Sequence, residues 1–101
     1  MTAGTKLHLS RARENLSEAL SAARNASTRQ VTHVLQDPTT GCFQSARTGY
    51  LTYDLSEALA CSSDTPGIFG TEPTPVDEAR AKLITVLEEA VSSVEERLAA
   101  S

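Results

Sequence analysis

Apolar residues recur every three or four positions near the start of the chain: Leu9, Ala12, Leu16, Ala19, Leu20 and Ala23. This spacing places them on one stripe and predicts an amphipathic helix over 8–26. Arg11, Arg13, Glu14, Ser17, Glu18 and Ser21 occupy the opposite face. Thr5 or Ser10 suits the N-cap, because a hydroxyl there accepts one of the unpaired first-turn N–H groups. Asn25, Ser27 and Thr28 compete with the helix through their own side chains and end it.

The period then changes. Residues 29–36 are rich in β-branched types and read as a strand. Asp37-Pro38-Thr39-Thr40-Gly41 follows as a turn, with Pro38 preset in φ and Gly41 free to take positive φ. Residues 42–47 return as a second strand, Thr48-Gly49 turns the chain again, and Tyr50-Leu51-Thr52-Tyr53 forms a third. Strands so close in sequence predict a three-stranded antiparallel meander. Asp54 and Glu57 have the spacing of a capping box, which predicts a short helix over about 55–61. Residues 62–73 have no period and contain Pro66, Gly67, Gly70 and Pro73, so they read as a long loop.

The final stretch is again helical. Thr74 is placed to cap it, Pro75 takes the first position, and Asp77 and Glu78 favour the positive end of the dipole. Val76, Arg80, Leu83, Leu87, Ala90 and Val94 form a stripe that is apolar except at Arg80, and Ile84, Val91 and Leu98 widen it. The helix is expected to run from about 75 to 99. The elements together predict one α+β domain over 1–101, in which two long amphipathic helices flank the meander, the short helix and the long loop.

Composition narrows this picture. The chain has 101 residues, no Trp, and only Phe43, Phe69, Tyr50 and Tyr53 as aromatics. An aromatic-poor core of this size is thin, and a partner chain is one way to complete it. At ~1.5 Å per residue the last helix spans more than the ~33 Å diameter of a compact chain of this length, so it is expected to overhang its own domain. A homo-oligomer joined through Leu83, Leu87, Ala90, Val91 and Val94 follows from that overhang.

Charge is divided unevenly. Residues 1–50 carry six basic and three acidic side chains, whereas residues 51–101 carry three and ten. The halves attract, within the fold or between subunits. The acidic balance lacks the dense basic stripe of a nucleic-acid binder. No apolar run approaches the ~18 residues of a membrane span, so no membrane partner is expected. The first ten residues lack the apolar segment of a secretory signal, and two cysteines are too few for a disulfide framework. A cytoplasmic address with free Cys42 and Cys61 thiols is the resulting expectation.

Candidate chemistry is sparse. His8 and His33 lie on different elements, which is poor spacing for a metal site, and no metal or other cofactor is expected. Cys42 and Cys61 have no C-x-x-C neighbour and read as small hydrophobes. Gly67-Ile68-Phe69-Gly70 lacks the Lys-Ser/Thr of a phosphate loop, and there is no G-x-S-x-G elbow. The more distinctive residues are Ile68 and Phe69, two large apolar groups between glycines, and Arg47, Tyr50 and Tyr53, types favoured at recognition surfaces. They are the expected binding residues. The leading functional expectation is a small, non-catalytic interaction module that self-associates. A small-molecule binder, with its pocket between the sheet, the 62–73 loop and the helices, is the alternative. A small enzyme with a composite site of His33, Cys42 or Tyr53 comes last.

Overall fold

The computed structural model describes residues 2–27 and 31–100. The chain is an α+β protein with the order α1 (Ala3–Asn25), β1 (His33–Gln36), β2 (Phe43–Gln44), β3 (Leu51–Thr52), a 3₁₀ turn at Leu55–Glu57, β4 (Ala60–Cys61), β5 (Glu72–Pro75) and α2 (Val76–Ala99). Among the described residues, no helix is long and apolar enough to cross a membrane.

The meander β1–β2–β3 forms as expected, and β1 gains two further partners. Residues 28–30, the start of the expected first strand and one of the expected helix stops, lie outside the described residues. The Asp37–Gly41 turn closes with the Gly41 N–H on the Asp37 carbonyl at 2.8 Å, and Gly41 has φ +79°. An Asp37 carboxylate oxygen accepts the Thr39 N–H at 2.8 Å, and that bond holds its pKa below the usual value.

Strands β2 and β3 are shorter than the expected 42–47 and 50–53, and three further boundaries differ from the sequence reading. Helix α1 begins at Ala3, capped by Thr2, whose hydroxyl accepts the Thr5 N–H at 3.2 Å. Residues 3–8 of this helix are exposed, so no apolar stripe marks them. The expected 55–61 helix stops after one turn. Asp54 accepts from the Ser56 N–H and hydroxyl, at 2.9 and 2.6 Å, while the Glu57 carboxylate pairs with Arg47 at 2.6 Å instead of reaching back. The chain beyond is then drawn into the sheet, where the Leu59 N–H donates to the Gln44 carbonyl at 2.8 Å. Finally, Thr74 and Pro75 are strand residues, paired with Val34 and His33. Helix α2 therefore starts at Val76 without a side-chain cap, and the Val76 N–H donates to the Thr32 carbonyl at 3.0 Å.

The registers show how the sheet is built. His33 pairs with both Cys61 and Pro75, and Gln36 with both Phe43 and Glu72. Thus β5 lines one edge of β1, while β2 and β4 share the other. Both β4 and β5 are antiparallel to β1, hence parallel to each other, so the chain between them must return along the sheet. Gln36 and Val34 face the helices, since the Gln36 amide donates to the Ala79 carbonyl at 2.9 Å and Val34 joins the helix core. The 62–71 return therefore crosses the opposite face, to which His33 and Leu35 point by alternation.

The core is aliphatic around one Phe. Val34, Phe43 and Leu55 pack with Ala23, Val76, Ala79, Leu83 and Leu87, and Leu16, Ala19 and Leu20 close its side. The main core cluster ends at Leu16 on α1 and Leu87 on α2, and Leu9, further toward the start of α1, is buried as well. Beyond those points the two helices run on as an antiparallel pair. The molecule is correspondingly long, 48 × 24 × 20 Å, with a radius of gyration of 15.1 Å; about 13 Å is typical of a compact chain of this length. The expected overhang is present, and α1 accompanies α2 along it.

Arg80, the charged member of an otherwise apolar stripe, joins the helices. Its guanidinium donates to the carbonyls of Ala23, Arg24 and Ala26 at 3.0, 2.9 and 2.6 Å. These carbonyls lie at the C-terminus of α1, where intrahelical donors run out and the dipole favours a cation. Replacing Arg80 with Met should keep the stem and lose the fork, lowering stability by roughly 1.5–3 kcal/mol. Arg80→Lys should recover little of it, because an ammonium cannot match the planar geometry. Urea unfolding of the three proteins checks both expectations.

Candidate functional site

The return segment over the helix-free face is built from two turns. In the first, Thr65 donates its N–H to the Ser62 carbonyl at 3.2 Å, and the Ser62 hydroxyl donates to Asp64 at 2.6 Å, which lowers the Asp64 pKa. In the second, the Ile68 carbonyl accepts both the Thr71 N–H, at 3.0 Å, and the Thr71 hydroxyl, at 2.6 Å. A side chain at Gly67 would come within 1.8 Å of the Thr71 carbonyl oxygen, so the turn requires glycine there. The closure forces Phe69 to φ +56°, a conformation that bulky residues rarely adopt.

Phe69 is consequently displayed. It is 57% exposed, and its ring stacks on Tyr50, itself 70% exposed, with centroids 6.4 Å apart and planes at 26°. Ile68 beside it is exposed as well. Phe69 therefore does not plug the chain's own core; the tight turn points the ring outward onto another exposed ring. Arg47 lies in the same β2–β3 turn as Tyr50, and its charge is paired with Glu57.

Tyr53 belongs elsewhere. It hydrogen-bonds with the Cys42 thiol, and this bond, reinforced by partial burial, pushes its pKa up to about 12. It also lines an open groove of about 380 Å³ between α1 and β3, formed by Asn15, Glu18, Ala19 and Ala22 on the helix and Thr52, Tyr53 and Asp54 on the sheet side. The groove is not where sequence reasoning located a pocket: no residue of the 62–73 loop lines it. Apart from Tyr53, its lining residues were not anticipated. Their proximity is a long-range consequence of α1 lying across β3, and the small Ala22 on an otherwise polar helix face is the one local trace of it.

The expected interface residues also divide. Leu83 and Leu87 are 0% and 2% exposed, spent on the chain's own core, and have no surface left for a partner. Ala90, Val91 and Val94 lie beyond that core and are half-buried.

The titratable groups do not converge on a reactive centre. His33 Nδ1 is buried without a hydrogen-bond partner, and His33 lies opposite Cys61 in the sheet. Burial pushes the Cys61 thiol pKa up, which lowers its thiolate fraction and its nucleophilicity. Tyr53 holds its proton too firmly to act as a base near neutrality. Among the described residues, no group of three or more His, Cys, Asp or Glu side chains is arranged to hold a metal ion. No protein-family model, curated protein or solved structure matches the chain.

Two expectations follow. In a Tyr50→Phe variant, ultraviolet titration should find the remaining tyrosine, Tyr53, ionising near pH 12, and a further Cys42→Ala change should return it toward the ordinary value of 10. Because its folded pKa is raised, Tyr53 contributes stability that is complete below pH 10 and lost as pH climbs through 12. For Phe69→Ala, stability should fall by less than ~1.5 kcal/mol, the scale of one ring contact, whereas a buried Phe would cost ~3–5 kcal/mol. Thermal unfolding distinguishes these.

Proposed function

We propose that this protein is a small, non-catalytic interaction module that works as a homodimer, its helical extensions packing together as a four-helix bundle. The observation that carries the reading is the two-helix extension beyond Leu16 and Leu87, which meets the sheet side only at its base, where Asn15 lines the groove. Two helices alone cannot enclose an apolar stripe. Leu9 is buried there within the one chain, but Val91 and Val94 remain half-buried and Leu7 on α1 is exposed.

Charge supports the same arrangement. In the extension, α1 carries Lys6, Arg11 and Arg13 against Glu14, while α2 carries Glu88, Glu89, Glu95 and Glu96 against Arg97. Within the described residues the two helices share one ion pair, Arg24–Glu88 at 3.5 Å. A two-fold axis along the extension sets the basic helix of each protomer against the acidic helix of the other, so the same patch satisfies itself twice. Leu83 and Leu87 stay in the protomer core, and the contact uses Leu7, Val91 and Val94.

Light scattering at micromolar concentration should give about twice the chain mass of 10.7 kDa. Val94→Glu should yield a folded monomer, since it buries an unpaired charge only in the dimer, at a cost of several kcal/mol. Raising the salt concentration should weaken the dimer by screening the facing charges. A wild-type monomer would overturn the reading.

A further inference from the structure

The β5 and β3 edges of the sheet differ in what their backbones offer. The Leu35 N–H points toward β4, donating to the Leu59 carbonyl, so by alternation Val34 and Gln36 face β5. Their partners there are Thr74 and Glu72, which leaves Pro73 and Pro75 at the outward positions. Neither has an N–H, and this edge is closed to an added strand.

The β3 edge is open. The Ser45 N–H donates to the Tyr50 carbonyl at 2.7 Å, and Phe43 pairs with Thr52, so alternation turns the backbone groups of Leu51 and Tyr53 away from β2. Tyr53 lines the α1–β3 groove, and Leu51 lies on the same edge two residues before it. Ala19 and Ala22 form its helical wall with small side chains, leaving room beside the edge. Glu18 and Asp54 line it, and no Lys or Arg does.

From this combination we infer that the groove takes an extended, basic peptide segment of a partner protein, added to the sheet as a strand beside β3. Main-chain bonds to Leu51 and Tyr53 provide the attachment, the alanine wall accepts alternate side chains, and Glu18 and Asp54 select for Lys or Arg. The groove meets the helical extension only at Asn15 and shares no residue with the proposed dimer contact of Leu7, Val91 and Val94, so it stands or falls independently of dimerisation.

The test is selection of a random short-peptide library on the immobilised full chain. Enriched peptides should carry Lys or Arg among β-branched residues. Leu51→Pro, which removes one outward N–H as Pro73 and Pro75 do on the other edge, should weaken their binding at least tenfold. Should Leu51→Pro fail to fold, Glu18→Lys on the exposed helix face serves in its place, and it should shift selection toward acidic peptides. N-methylating alternate backbone positions of a selected peptide should abolish its binding. The proposal is overturned if nothing is enriched, if the enriched peptides bind the variants unchanged, or if the N-methylated peptide binds as well. It is equally overturned if the β3 edge pairs with a second copy of the chain, seen as a loss of dimer mass in Leu51→Pro but not in Val94→Glu.

Discussion

A strand paired on both edges and packed on both faces cannot slip, because a shift of one residue would move every side chain to the wrong layer. β1 is in that position. Its four residues hold β2 and β4 on one edge and β5 on the other. Gln36 extends the constraint into the helix layer, its buried amide donating to the Gly41 carbonyl at 3.0 Å and the Ala79 carbonyl at 2.9 Å. One side chain thereby sets the turn after β1, the placement of α2 and the face assignment of the sheet. An apolar residue of similar size would fill the space but leave that geometry unspecified.

The helix layer depends on β1 at one end only. The sheet covers the C-terminal part of α1 and the N-terminal part of α2, and Arg80 ties them together there through the terminal carbonyls of α1. Away from this point, the helices have only each other. A thin aliphatic core suffices for the sheet end of the molecule and does not extend along the full helix length. The extension, with opposite charges on its two helices, is the part on which the proposed dimer rests.

The helix-free face is covered by irregular chain, which explains the concentration of unusual backbone there. The return from β4 to β5 has to reverse direction within ten residues or so, and the Gly67–Thr71 closure achieves it at the cost of a left-handed Phe69. Such strain is commonest where structure serves recognition. The exposed Tyr50–Phe69 stack is the consequence. The β3 edge differs in that its backbone polarity, its groove and its charge define the chemistry of an occupant.

By itself, the sequence determined the features governed by local periodicity and turn chemistry. These are the two amphipathic helices, the strand–turn–strand run from β1 to β3, positive φ at Gly41 and an aliphatic core. Tertiary structure alone decided what depends on residues distant in the chain. β4 and β5 are strands of two and four residues with no alternation to reveal them; pairing with β1 overrode the capping signals at Glu57 and Thr74 because a sheet edge offers hydrogen bonds that an isolated helical turn does not. The division of the α2 stripe, with Leu83 and Leu87 inside and Val91 and Val94 beyond, depends on where the sheet ends, which periodicity does not encode. The groove likewise arises only because α1 lies across β3. Each of its residues is unremarkable in sequence, since its role comes from neighbours some thirty or more positions away, brought close by the packing of one layer on another.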